Sequence, residues 1–167
     1  MKLDSKVTEA LSWITTILEK NNISYQISGG FAGCFFGSQR KLNDIDIDIS
    51  ENDFDQIIDE IRPWLVFGPS RYKDDKWDLY LMTIHYHGQE IDISGIETCL
   101  ISSKDRKKWI HFTTDFNKCI TAKINDINIP IIDPSDFVLY KKELDGEHQL
   151  EDIIAAENYS NNHPKKS

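Results

Sequence analysis

The 167-residue sequence predicts an α+β chain, a mixed β-sheet with helices packed on it. Three observations carry that expectation. Asp44, Asp46 and Asp48 alternate with Ile45, Ile47 and Ile49, the period of a strand that is wet on one face and buried on the other. Stretches with apolar residues at helical spacing flank it at both ends of the chain. Two pairs of strand-like runs, 79–86 with 90–94 and 119–124 with 127–132, are each joined by a short turn carrying Gly or Asn-Asp.

In chain order, Asp4 or Ser5 can cap a first helix with Val7, Leu11, Ile14, Ile17 and Leu18 on one face, ending near Asn21-Asn22. Residues 23–27 read as a short strand. Gly29-Gly30 marks a tight turn where backbone can approach a ligand closely, and Phe31 to Phe36 a short helix whose first amides face that turn. Ser38 to Asn43, with Arg40 and Lys41, forms a basic loop ahead of the acidic strand. Residues 52–64 place Phe54, Ile57, Ile58 and Ile61 on one helical face before Pro63 ends it. Residues 65–67 suit a strand, and Pro69 to Lys76 a polar surface loop. The next hairpin turns at His87-Gly88-Gln89 and carries Glu90 and Asp92 on one strand face. Residues 96–117 mix lysines and aromatics without a clear period. The second hairpin turns at Asn125-Asp126. Asp133 or Ser135 caps a helix with Phe137, Val138, Tyr140 and Leu144, Gly146 interrupts it, and residues 149–159 form a last helix. The expected organisation is one domain over 1–159 with a polar, disordered tail over 160–167.

Composition narrows the function classes. With 19 basic against 28 acidic residues the formal charge is −9, which argues against a broad nucleic-acid-binding face. Cys34, Cys99 and Cys119 are odd in number and lack C-x-x-C spacing, so they give neither a disulfide framework nor a zinc site. They read as reduced thiols of a cytoplasmic protein. No apolar run approaches the ~20 residues needed to span a bilayer, and the first residues lack the pattern of a secretory signal.

Three carboxylates on one strand face repel one another unless a cation lies among them, so a bound metal or an Arg or Lys partner accounts for the pattern physically. A solvated edge strand carries the same pattern. A calcium loop does not fit: Ile49 stands where Gly is needed and Asp55 where Glu is expected. Two carboxylates at i and i+2 on a rigid strand can share divalent ions, and a third from another strand, Asp92, can complete the cage or take a proton. Gly29-Gly30 is either a plain turn or a contact for phosphate oxygens. Arg40 suits a salt bridge to the acidic face, and Lys141 with Lys142 suits a solvated helix face or a phosphate contact. Asp48, one pleat further on, reads as a strand-end residue paired with a lysine or solvated rather than a metal ligand.

The stretch Gly29, Gly30 and Asp44-Ile45-Asp46, with Arg40 between and Glu90-Ile91-Asp92 after, resembles the nucleotidyltransferase superfamily of polymerase-beta-like fold. Within it the likeness is to the small aminoglycoside and lincosamide nucleotidyltransferases. Asp136 and Lys141 resemble the acid and the lysine of that family's late helix. Leu42-Asn43 depart from the usual Thr or Ser before the acidic strand. The resemblance implies that Asp44, Asp46 and Asp92 hold two magnesium ions, with Asp92 as general base. It further implies that Gly29, Gly30, Arg40 and Lys141 meet the phosphates of a nucleoside triphosphate. The implied activity is transfer of a nucleoside monophosphate, AMP from ATP, to a hydroxyl of a small-molecule acceptor such as an aminoglycoside. The alternative is a non-catalytic or protein- or RNA-modifying module of the same fold, acting as an antitoxin or regulator.

Overall fold

The computed structural model describes residues 3–125 and 127–164. Asp4 caps α1 (Ser5–Lys20), its Oδ1 accepting from the Val7 amide at 3.0 Å. There follow β1 (Tyr25–Ile27), α2 (Gly29–Phe36), β2 (Asp44–Ile49), α3 (Phe54–Ile61), β3 (Leu65–Lys73), β4 (Trp77–Tyr86) and β5 (Gln89–Gly95). The second half adds β6 (Leu100–Ser102), β7 (Trp109–His111), β8 (Ile120–Ile124), β9 (Ile127–Ile131), α4 (Pro134–Lys141) and α5 (His148–Asn162).

Among the described residues nine strands join one mixed sheet in the order β7-β6-β4-β5-β2-β1-β9-β8, with β3 paired to β4 off that path. The acidic strand β2 lies near its middle. It runs antiparallel to β1 and parallel to β5, and the second pairing sets Asp44 opposite Glu90 and Asp46 opposite Asp92. Gln89, itself buried, fixes the start of that register by donating from Nε2 to the Asn43 carbonyl at 2.9 Å.

Period-2 geometry sends Ile45, Ile47 and Ile49 away from the acids and fully into the core, with Ile91 and Ile93 of β5. Leu11, Ile14 and Leu18 of α1 and Phe54, Ile57 and Ile61 of α3 complete that core. Each fully buried isoleucine stabilises the fold by about 1.5–3 kcal/mol relative to an exposed one. The acid face of β2 is thereby left for a cleft.

Several expectations are corrected. Gly29-Gly30 is the first turn of α2, not a turn ahead of it. Residues 69–73, read as loop, extend edge strand β3, where Pro69 needs no ladder donor and bulges break the register with β4. The illegible stretch 96–117 contributes β6 and β7, each only three residues and too short for a visible period. The helix after Asp133 stops at Lys141, short of Leu144. Residues 160–162, assigned to the tail, continue α5; 165–167 and Asp126 of the second hairpin lie outside the described residues. Cys34, Cys99 and Cys119 are free thiols and half-buried. Among the described residues no helix is long and apolar enough to cross a membrane.

Candidate active site

The site is built where α2 leaves β1 and passes over the acid face of β2. The Ser28 amide donates to the Asp46 carbonyl at 2.9 Å, seating the start of α2 directly on β2. Gly29 adopts φ +53°, and a side chain there would run into the Asp46 carboxylate. The Gly30 amide donates to Asp46 Oδ2 at 3.3 Å, and a Cβ on Gly30 would meet the guanidinium of Arg40. Both glycines are thus required by close approach. The Gly29 amide donates to the Tyr140 hydroxyl at 3.0 Å, which brings α4 onto the same turn.

A cleft of about 620 Å³ opens over this point. Of the residues expected at the site, Gly29, Gly30, Arg40, Asp44, Asp46 and Lys141 line it. Asp92 does not line it, but its carboxylate reaches the Asp44 side chain from the neighbouring strand. Carboxylate oxygens of Asp44, Glu90 and Asp92 lie within 4.8 Å of one another, a spacing that suits a divalent cation bound by hard oxygen donors. The sequence places Glu90 on the face of Asp92 but does not single it out as a metal ligand. Its signal is its place two residues before Asp92 on the same strand face.

Asp46 stands beside this trio without belonging to it. Burial, then the charges of Asp44 and Asp92, push its carboxyl up to about 7, against the pull of Lys141. Burial also raises Asp92, opposed by the Thr83 hydroxyl that donates to it at 2.5 Å and reinforced by Glu90 and Asp44. Asp46 and Asp92 thus both resist ionisation, an environment that a bound cation would relieve. Asp48, half-buried, lines the cleft, and the side chain that bonds it is no lysine: Gln26 Nε2 donates to it at 2.8 Å.

The expected cations line the same cleft. Arg40 and Lys141 do not bond the acid face or point into solvent; both bind Asp152 of α5. Arg40 Nε lies 3.0 and 3.1 Å from its two oxygens, and Lys141 Nζ lies 2.9 Å from Oδ2. Asp152 is fully buried and Lys141 is 3% exposed, so burial draws the lysine below its ordinary value while Asp152 holds it up. Sequence reasoning missed Asp152. Its signal is an acid on the face of α5 that otherwise buries Gln149, Ala155 and Ala156.

The remaining wall comes from the stretch that was illegible in sequence, with Ile96, Cys99, Ile101, His111, Phe112, Thr113 and Thr114. Lys118 and Asp136, 3.7 Å apart, stand on the lining as well.

No protein-family model matches the sequence, and no curated protein matches it. Solved structures do. A Thermotoga maritima protein described as a candidate nucleotidyltransferase aligns over 97% of both chains at 16% identity, with a TM-score of 0.70. The lincosamide antibiotic adenylyltransferase LnuA, solved with lincomycin bound, aligns over 90% of this chain and 96% of its own at 18% identity, TM-score 0.61. ANT(2")-Ia, in complex with adenylyl-2"-tobramycin, aligns over 89% and 86% at 12% identity, TM-score 0.56. At these identities the likeness establishes the fold: the chain has the nucleotidyltransferase fold.

Proposed function

We propose that this chain of nucleotidyltransferase fold is a metal-dependent nucleotidyltransferase, moving a nucleoside monophosphate from a nucleoside triphosphate to a hydroxyl of a small-molecule acceptor. The observation that carries the reading is one cleft whose lining brings the carboxylates of Asp44 and Asp46 together with Arg40 and the buried Lys141, while Glu90 and Asp92 reach Asp44 from β5. LnuA and ANT(2")-Ia, which share the fold, support AMP from ATP as the transferred group and an antibiotic-like acceptor.

Asp44 and Asp92, with Asp46 and Glu90 beside them, would hold magnesium, a fit supported by the mutual spacing of the Asp44, Glu90 and Asp92 oxygens. When bound, the metal supplies charge screening for the triphosphate and a lowered pKa for the attacking hydroxyl. Asp92 takes the hydroxyl proton, a role that its place on β5 beside Asp44 suits. Gly29 and Gly30 let the phosphate chain approach backbone closely, and Arg40 and Lys141 meet the charge of the departing pyrophosphate. The cytoplasm, where thiols stay reduced and nucleoside triphosphates are abundant, is the compartment this reading implies.

A screen of radiolabelled ATP, GTP, CTP and UTP against aminoglycosides, lincosamides, RNA and proteins tests the assignment. The expected result is magnesium-dependent labelling of a small molecule that Asp46→Ala abolishes while leaving the fold intact. Undiminished transfer by that variant would sink the proposal. Magnesium-dependent nucleotide binding without turnover would instead assign the non-catalytic module.

A further inference from the structure

Two cations of the cleft lining converge on the buried Asp152. Arg40 Nε and Lys141 Nζ both bind its carboxylate, and the next acids about them are Asp44 near Arg40 and Asp46 near Lys141. Arg40 turns only Nε to Asp152; among the described residues its two terminal nitrogens make no hydrogen bond. Those nitrogens lie against Gly30, where a Cβ would collide with them, at the turn that carries the first amides of α2. The fork is therefore aimed at the glycine turn and available to a bidentate oxyanion.

The fold makes room for this arrangement at one further point. A Cβ built on Gly33 of α2 would lie 2.5 Å from Asp152 Oδ1, so only glycine lets the carboxylate occupy its place. Glu151, the preceding residue, anchors the same loop separately: its Oε1 accepts from the Ser38 hydroxyl at 3.1 Å and the Gln39 amide at 2.6 Å. Loop anchoring and cation holding thus fall to different side chains of α5.

We propose that Asp152 is a positioning residue that holds Arg40 and Lys141 as a preformed dication for the phosphate chain of a nucleoside triphosphate. The inference rests on the function proposed above and deepens it. Flexible lysine and arginine side chains lose rotamer entropy when they close on a ligand, and a buried carboxylate fixing both in advance removes that loss from the binding step. Asp152 itself stays away from the reacting atoms.

Calorimetric titration of the full chain with magnesium and a non-hydrolysable ATP analogue, and separately with inorganic tripolyphosphate, decides the matter. Asp152→Asn and Arg40→Gln are each expected to weaken binding about tenfold, and the double variant to bind within ~3-fold of either single one, because both act through the same contact. Glu151→Gln, which keeps the cations in place, is expected to bind within ~3-fold of the native chain. Native-like binding by Asp152→Asn overturns the inference, as does a double variant weakened by the product of the single effects, or a loss in Glu151→Gln equal to that in Asp152→Asn. Should Asp152→Asn fail to fold, Gly33→Ala displaces the carboxylate without changing any charge, and native-like binding by that variant overturns the inference. A native chain that binds neither ligand overturns the proposed function and the positioning role together; native binding with unaffected variants overturns the positioning role alone.

Discussion

Asp46 shows how a single residue encodes both a site and a stability penalty. Its carboxyl titrates near 7 in the metal-free fold, against an ordinary value of 3.8, because burial and the neighbouring acids disfavour the charged form. Between those two values the folded chain holds a proton that the unfolded chain releases, so stability falls as pH rises through that window and the loss is complete above about 7. Asp46→Asn removes the penalty. In chelator, the variant is expected to melt above the native chain at pH 8 by about 6 °C, corresponding to ~2 kcal/mol for a half-buried group. The advantage is expected to vanish near pH 4. Differential scanning calorimetry across that range checks it, and equal melting at pH 8 would show the carboxylate to be well solvated. Magnesium is expected to raise the melting temperature of the native chain and not that of the variant.

At the scale of elements, the site depends on β5 lying parallel to β2 and on α2 starting directly above them. The alternation of β2 was legible from 44–49 alone because burial of Ile45, Ile47 and Ile49 forces it. That the strand of Asp92 lies beside β2 follows from the expectation that Asp92 joins Asp44 and Asp46; the parallel direction and the register that sets Asp46 opposite Asp92 were not legible, since strand pairing is a long-range choice made by the whole core. The glycine turn is a sharp point of this assembly. Gly29→Ala forces a side chain into positive φ and onto Asp46, so a stability loss of about 1–3 kcal/mol is expected. Urea unfolding measures that loss, and a parallel fall in magnesium-dependent nucleotide binding ties it to the site. Unchanged stability would mean that α2 can shift away from β2.

Across the whole molecule, the cleft exists because the stretch 96–117 folds back toward the C-terminal helices. The Lys104 amide donates to Glu143 at 2.9 Å, and Arg106 pairs with Asp145 and with Asp75. These ion pairs are largely solvated, so Arg106→Ala is expected to lower stability by less than about 1 kcal/mol. The wall they hold carries half-buried Phe112 among its lining residues and comes from none of the elements that carry Gly29, Gly30, Arg40 or Lys141. Phe112→Ala is accordingly expected to raise KM for the acceptor severalfold while leaving KM for the nucleotide within ~2-fold. Steady-state kinetics with each substrate varied in turn separates the two, and an equal rise in both would move the acceptor elsewhere.

By itself the sequence determined the local facts: which residues alternate, where glycine is needed, and that carboxylates crowd one strand face. Those follow from backbone period and steric volume, which act within a few residues. Only the tertiary structure decided that Glu90 joins Asp44 and Asp92 at one point, and that Arg40 and Lys141 meet at Asp152. Asp152 lies 112 residues from Arg40 in the chain, and what joins them is desolvation. Once α5 packs against α2, neither a buried carboxylate nor a buried cation is stable without the other.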